Sequence, residues 1–316
     1  MRISKHFAAI LLAYIIWGFI SFPLHFLKDY TAMQILFFRI LTAASLLIIC
    51  CLFFKRKQIP LNIDLFRKLG RKEKNKALLA LLAGGVMLTL NWLIFIYAIN
   101  HVSIQSATFA YLLCPLLTTF LAFFILKEKL SILQWISVGL SLVSCVLLGW
   151  ESAGNIRSSF LIALTYALYL ILLRFVRKFD RMLVLTIQLG FSMLLLIPFY
   201  RVMVPVVPQS SDFFGMILIL SVVFTILPLM LNMFAMQKIS TSTVGILMYI
   251  NPLINFCLAF LYFNETATGT MVIAYAIIFA GLVLFNWEAV RLLVKGKEKE
   301  PGIAEEVESY SGSSPL

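Results

Sequence analysis

Arg39 is the only basic residue well inside an apolar stretch of this 316-residue chain. It lies about two turns from one end of the segment 32–54. A polar group in hydrocarbon is costly unless it meets a partner or lines a wet cavity, so two chemistries fit. A guanidinium in a central cavity attracts a substrate carboxylate or another anionic group. Alternatively, it bonds free carbonyls near a broken helix, or snorkels toward the interface. Carboxylates are missing from the interior of every apolar stretch: Asp29, Glu128, Glu151, Asp180, Asp212, Glu265 and Glu288 sit at or beyond segment ends. Coupling through a titrating membrane acid is therefore disfavoured. His25, near the end of the first segment, is the nearest other titratable group, although a lone His at a helix end is more often an interfacial polar residue.

Pro115 and Pro252 both fall mid-segment. Each removes one backbone hydrogen bond and crowds the carbonyl four residues earlier, at Tyr111 and Met248. Such kinks expose carbonyls to a cavity, or serve packing alone. Asn251 precedes Pro252 and could satisfy freed backbone or touch a substrate; Cys114 holds that place before Pro115. Asn91, in mid-segment, should face other helices and bond across them. Trp17, Trp92, Tyr111, Tyr169 and Tyr249 could build an aromatic cavity wall with hydroxyl and indole donors, or act as ordinary packing. No paired Asp, Ser/His or HExxH arrangement accompanies them, and the three histidines are His6, His25 and His101. An enzyme is disfavoured on this ground, and neither a metal nor a cofactor is expected.

These residues must be positioned by membrane helices. The chain is 62% hydrophobic and only 13% charged, with a mean hydropathy of +0.99. A soluble protein of this composition would expose far too much apolar surface. A crossing helix needs about 20 apolar residues. Ten such segments are legible, near 7–27, 32–54, 77–99, 104–126, 132–150, 156–173, 182–200, 213–236, 242–263 and 270–290. They neither have the length nor show the alternation of barrel strands. The first lacks a cleavage site and is read as a retained helix.

The net charge of +12 invites a nucleic-acid reading, which its placement opposes. With the N-terminus in the cytoplasm, the clusters at 55–76, Lys127, Lys129, Arg174, Arg177, Lys178, Arg181, Lys238 and the residues after Val290 face inward. Only Lys28, Arg157 and Arg201 face out. This positive-inside pattern places both termini in the cytoplasm, with membrane lipid rather than nucleic acid as partner. All five cysteines lie in apolar segments, and no disulfide is expected. The tail 291–316 reads as disordered.

Ser103–Glu128 and Ser240–Glu265 repeat each other without a gap at a shift of 137 residues, matching Pro115-Leu116 with Pro252-Leu253 and Glu128 with Glu265. Five segments in each half force opposite membrane orientations, so the repeats should be inverted. The expected architecture is all-α and polytopic: a first five-helix repeat over 1–150, an inverted second one over 151–290, and a central cavity. Small residues on the fifth segment (Ser137, Gly139, Ser141, Ser144) and Gly84-Gly85 permit close helix approach, within one chain or across a homodimer.

At these positions the chain resembles the RarD branch of the EamA group, within the drug/metabolite transporter superfamily. The strings AYIIWGFISFPLHFLK (13–28), FFRILTAAS (37–45), NWLIFIYAINH (91–101), FAYLLCPLL (109–117), LKEKLSILQW (126–135) and GILMYINPLINF (245–256) carry the resemblance. It implies ten helices in two inverted repeats, permease activity and an association with chloramphenicol. By position, Arg39, Asn91, Trp92, Tyr249 and Asn251 match the family's polar set. Gln34 stands where an acid is expected, His25 replaces an aromatic residue, and Cys114 replaces Asn. The resulting expectation is an inner-membrane permease that moves small metabolites or drugs, chloramphenicol-type or amino-acid-like, outward by alternating access. An uncoupled facilitator or exchanger and a non-transporting scaffold are the alternatives.

Overall fold

A computed structural model describes residues 5–101, 104–151, 156–261 and 268–287. The expectations for Glu265 and for the tail 291–316 lie outside the described residues. Regular structure among the described residues is helical. In chain order the α-helices are α1 (Lys5–Gly18), α2 (Ser21–His25), α3 (Ala32–Phe54), α4 (Gln58–Lys68), α5 (Arg71–His101), α6 (Ile104–Leu126), α7 (Ile132–Glu151) and α8 (Ile156–Phe175). They continue with α9 (Arg181–Leu196), α10 (Tyr200–Met203), α11 (Ser211–Ser221), α12 (Leu227–Ala235), α13 (Thr241–Leu247), α14 (Ile250–Leu261) and α15 (Gly269–Phe285).

Helices dominate because a backbone in hydrocarbon must satisfy its own polar groups. Among the described residues seven helical stretches are long and apolar enough to cross a membrane, and three shorter apolar ones, Ala110–Leu126, Thr241–Ile254 and Gly269–Phe285, occupy the other expected positions. Local signals set their starts. Thr31 and Gln34 form a capping box at α3, Asp180 caps α9 through Met182 and Leu183, and Ser210, Ser240 and Thr268 cap α11, α13 and α15. Two boundaries differ from the hydropathy reading. The linker 55–76 contains α4, and α5 begins at Arg71 rather than near 77, because the basic first turns are helical without being apolar. The first segment breaks after Gly18, where a Cβ would lie 2.8 Å from Ile254 Cδ1.

Numbering the ten apolar segments in order, the first packs on the eighth and the third on the sixth (α1 with α12, α5 with α8). The second meets the eighth and the third meets the seventh; the fourth meets the sixth and the first meets the ninth. The second–seventh, fourth–ninth and fifth–tenth pairs complete the set. Exchanging the two halves leaves these main pairings unchanged. Several of the small residues pack within the chain, while Gly139 is exposed. Ser137 and Ser144 donate to the Gly281 and Ala274 carbonyls at 2.6 Å, fastening α7 to α15. Gly84 and Gly85 admit Gln188 of α9, where a Cβ would come within 2.3 Å and 2.7 Å of it.

Candidate substrate site

Between α11 and α12 the chain makes a π-helical turn over Val222–Ile226. Its wider winding frees backbone groups, and Pro228 just beyond it supplies no N–H. Arg39 of α3 fills this defect. Its Nε donates to Thr225 Oγ1 at 2.6 Å and its Nη2 to the Phe224 carbonyl at 3.1 Å. Trp17 Nε1 donates to the same carbonyl at 2.9 Å. The guanidinium carbon stands 4.7 Å over the Trp92 ring, a cation–π arrangement. Ser221 returns a bond to the Arg39 carbonyl at 3.1 Å. Gln34 is directed elsewhere: it bonds Thr31 and donates to the Val206 carbonyl at 2.7 Å.

Arg39, Trp17 and Trp92 are thus brought together, and aromatic contacts extend the group inward. Trp17 lies 5.8 Å from Tyr14 and 6.4 Å from Tyr166, which lies 6.0 Å from Tyr169. Asn232 of α12 stands beside Tyr14, whose hydroxyl donates to the Val244 carbonyl at 3.0 Å. Four buried polar atoms here lack a well-formed hydrogen bond, Tyr166 Oη, Tyr169 Oη and both amide atoms of Asn232, although Asn232 and Tyr166 stand within reach of the Tyr14 hydroxyl. An orphaned buried polar atom costs about 1–3 kcal/mol, so such a cluster points to a missing partner, water or ligand. Tyr111 joins the neighbourhood through electrostatic reach of Arg39 and lies against Phe95 at 5.3 Å.

The other expected residues lie apart. Asn91 donates to the Ile162 carbonyl at 2.7 Å and to Thr165 Oγ1 at 3.3 Å, so it bonds α5 to α8. Tyr249 and Asn251 flank the start of α14; Tyr249 Oη, beside Ser141 and Cys145, and Asn251 Oδ1 are buried without a well-formed hydrogen bond. His25 is exposed at the end of α2, its ring 6.2 Å from Phe26. The prolines behave differently. Pro115 stays within continuous α6, whereas the helix breaks at Met248–Tyr249 before Pro252 and the Met248 carbonyl accepts from Asn251 N–H at 3.1 Å.

Sequence reasoning missed Tyr14, Tyr166 and Asn232, although the burial cost that singled out Asn91 applied equally to Asn232. It also missed a second polar knot at the basic end of the bundle. Lys127 adopts a left-handed backbone (φ 57°), strained for a residue with a Cβ, and the turn aims Glu128 at the start of α13. Glu128 accepts from Thr241 N–H (2.7 Å), Ser242 N–H (2.9 Å) and Ser242 Oγ (2.7 Å), and pairs with Arg174 at 3.3 Å. Burial alone would raise the Glu128 carboxyl's pKa; the bonds from Ser242 and Thr241, with the Arg174 charge, hold it below its ordinary value. Arg174 also donates to Thr241 Oγ1 and the Met236 carbonyl, each at 2.6 Å, and to the Ile239 carbonyl.

Comparison with known proteins agrees with this architecture. The EamA-like transporter family matches residues 5–150 and 156–287. The chain is 27% identical over 283 residues to the uncharacterized transporter YojE of Bacillus subtilis, covering 88% of this chain and 92% of that protein. It is 25% identical over 286 residues to the protein RarD of Streptomyces exfoliatus (88% and 87% covered) and 26% identical over 221 residues to RarD of Escherichia coli (68% and 72%). A crystal structure sharing 16% identity superposes with a TM-score of 0.70 over 92% of this chain and 99% of that one, which establishes the common fold. The chain is a multi-pass membrane transporter of RarD type and belongs to the EamA-like transporter family.

Proposed function

We propose that the chain carries small amphiphilic metabolites or drugs through the bundle centre by alternating access, as an efflux permease of the inner membrane. The buried Asn232 amide and the buried Tyr166 and Tyr169 hydroxyls, none of them holding a well-formed hydrogen bond, carry this reading. They form a buried donor–acceptor set lined by aromatic faces, suited to a solute with a polar head and a planar body. Arg39 adds a fixed positive charge at its edge, able to draw a carboxylate or another anionic group. The exchange-invariant helix pairing and the two matched stretches support two inverted five-helix halves, 1–150 and 151–290, with ten crossings and both termini in the cytoplasm.

The test is reconstitution in liposomes with amino acids, nucleobases, organic acids and chloramphenicol, with and without a pH gradient. Transport of at least one panel member is expected, and Asn232→Leu and Tyr166→Phe should raise its KM. Unchanged transport in both variants would move the site elsewhere. Undiminished transport in Arg39→Gln would remove the cationic edge. A second reading, an uncoupled facilitator or exchanger, draws on the position of the described carboxylates, such as Asp64, Glu73, Glu128, Asp180 and Asp212, outside span interiors. Exchange that survives an ionophore, with accumulation lost, would support it.

A further inference from the structure

Helix α4 is attached to the bundle lightly. Asn62 Oδ1 accepts from the Asp180 N–H at 2.8 Å, and the Phe66 ring lies 6.4 Å from Phe179. No residue of α4 is buried. Its sequence is nonetheless amphipathic: Leu65 and Phe66 lie with Asn62 on the side turned to the bundle, Leu61 and Ile63 border that side on its two edges, and Asp64, Arg67 and Lys68 lie opposite. Leu61 and Ile63 remain 60% and 48% exposed, beside Phe54 at 80% where α3 ends. A helix of this kind belongs at a membrane surface, its apolar arc at the headgroup–acyl boundary.

Between α4, the first turns of α5 and the end of α8 lies a cleft of about 260 Å³. Leu65, Leu69, Phe175 and Phe179 form its apolar wall, and Lys76, Arg177 and Lys178 supply exposed cations. None of these three belongs to an ion pair among the described residues. Lys76 Nζ lies 5.8 Å over the Phe175 ring, so charge and apolar wall meet at one side. Arg174 also borders the cleft, but its guanidinium is occupied by Thr241, Met236, Ile239 and Glu128. Glu73 is the one acid in the lining.

We propose that this cleft seats the phosphodiester headgroup of an anionic membrane lipid, held by Lys76, Arg177 and Lys178, with the acyl chains leaving along α4. Three cations against one acid select a negative ligand. The apolar wall and the exposed Leu61 and Ile63 of α4 select a lipid over a free phosphate. The full-length protein, delipidated and placed in nanodiscs of phosphatidylcholine with or without phosphatidylglycerol, should retain phosphatidylglycerol in native mass spectrometry. The combined variant Lys76→Gln, Arg177→Gln, Lys178→Gln should weaken retention about ten-fold or more. Removing the same charge off the cleft, by Arg56→Gln, Lys57→Gln and Arg67→Gln, should leave it nearly unchanged, and Glu73→Gln should tighten it. Equal loss in both triple variants would reduce the effect to diffuse surface charge and overturn the site. Displacement by inorganic phosphate at matched concentration would overturn the lipid as its occupant. A thermal melt of each variant separates loss of lipid from loss of fold. Because retention is read without transport, failure here leaves the permease reading standing, and loss of transport leaves this one standing.

Discussion

Two arginines in this molecule are held in nearly the same way and differ in one partner. Arg39 and Arg174 each direct Nε at a threonine Oγ1 at 2.6 Å, and Arg39 spends Nη2, Arg174 both outer nitrogens, on carbonyls where a helix is interrupted. Arg174 has a carboxylate as well, Glu128 at 3.3 Å. Among the described residues Arg39 has none; it has the face of Trp92 instead. A guanidinium with an acid beside it is neutralised and acts as a clasp. One balanced only by dipoles and a ring quadrupole keeps a positive potential to offer an anion. The first arrangement suits a closure and the second a receptor.

The largest expected effect breaks the clasp. Glu128→Ala strands Arg174 and uncaps Thr241 and Ser242, and should cost about 2–4 kcal/mol, read as a marked drop in melting temperature in detergent. Arg39→Gln should instead cost only about 1–2 kcal/mol of stability, read as a small drop in melting temperature, while lowering transport of anionic substrates. Equal losses of stability would erase the proposed distinction. Arg39→Lys sharpens it: charge is kept but the planar fork is lost, so affinity should fall less than in Arg39→Gln. The pH dependence should also separate the two. Glu128 titrates below its ordinary value, so its contribution is complete above that value and fades as pH falls through the lowered one; melts of wild type and Glu128→Gln should converge only in that acid range. The smallest effect is expected at Asp180, which caps α9 and meets Lys55 at 2.9 Å while partly exposed. Asp180→Asn should cost roughly 0.5–1 kcal/mol, since Asn still caps and exposed pairs contribute little.

The helical segments were legible because hydrocarbon leaves the backbone few choices, and the apolar runs mark them directly. Arg39 and Asn91 were legible as polar exceptions within those runs. The destination of Arg39 was not, because a π-helical turn at Val222–Ile226 leaves no compositional trace. Glu128 and Arg174 lie at segment ends, where charged residues are commonplace, so only the fold reveals that 46 positions of separation close into a pair. Gln34 teaches the reverse lesson. Its place ahead of Arg39 suggested a missing acid partner, yet its side chain completes the start of α3 and reaches the Val206 carbonyl.

Helix α12 is nine residues long and lies between these two arginines. Phe224 and Thr225 precede it and are grasped by Arg39; Met236 and Ile239 follow it and are grasped by Arg174. In mechanical terms it is a connecting rod with a bearing at each end, and Asn232 rides on it. Any rocking of α3 against α8 must pull on this rod and therefore slip one of its two bearings. Whichever slips first sets the direction in which Asn232 is carried, so in the proposed transport cycle solute access is tied to the holds that Arg39 and Arg174 keep on the two ends of α12.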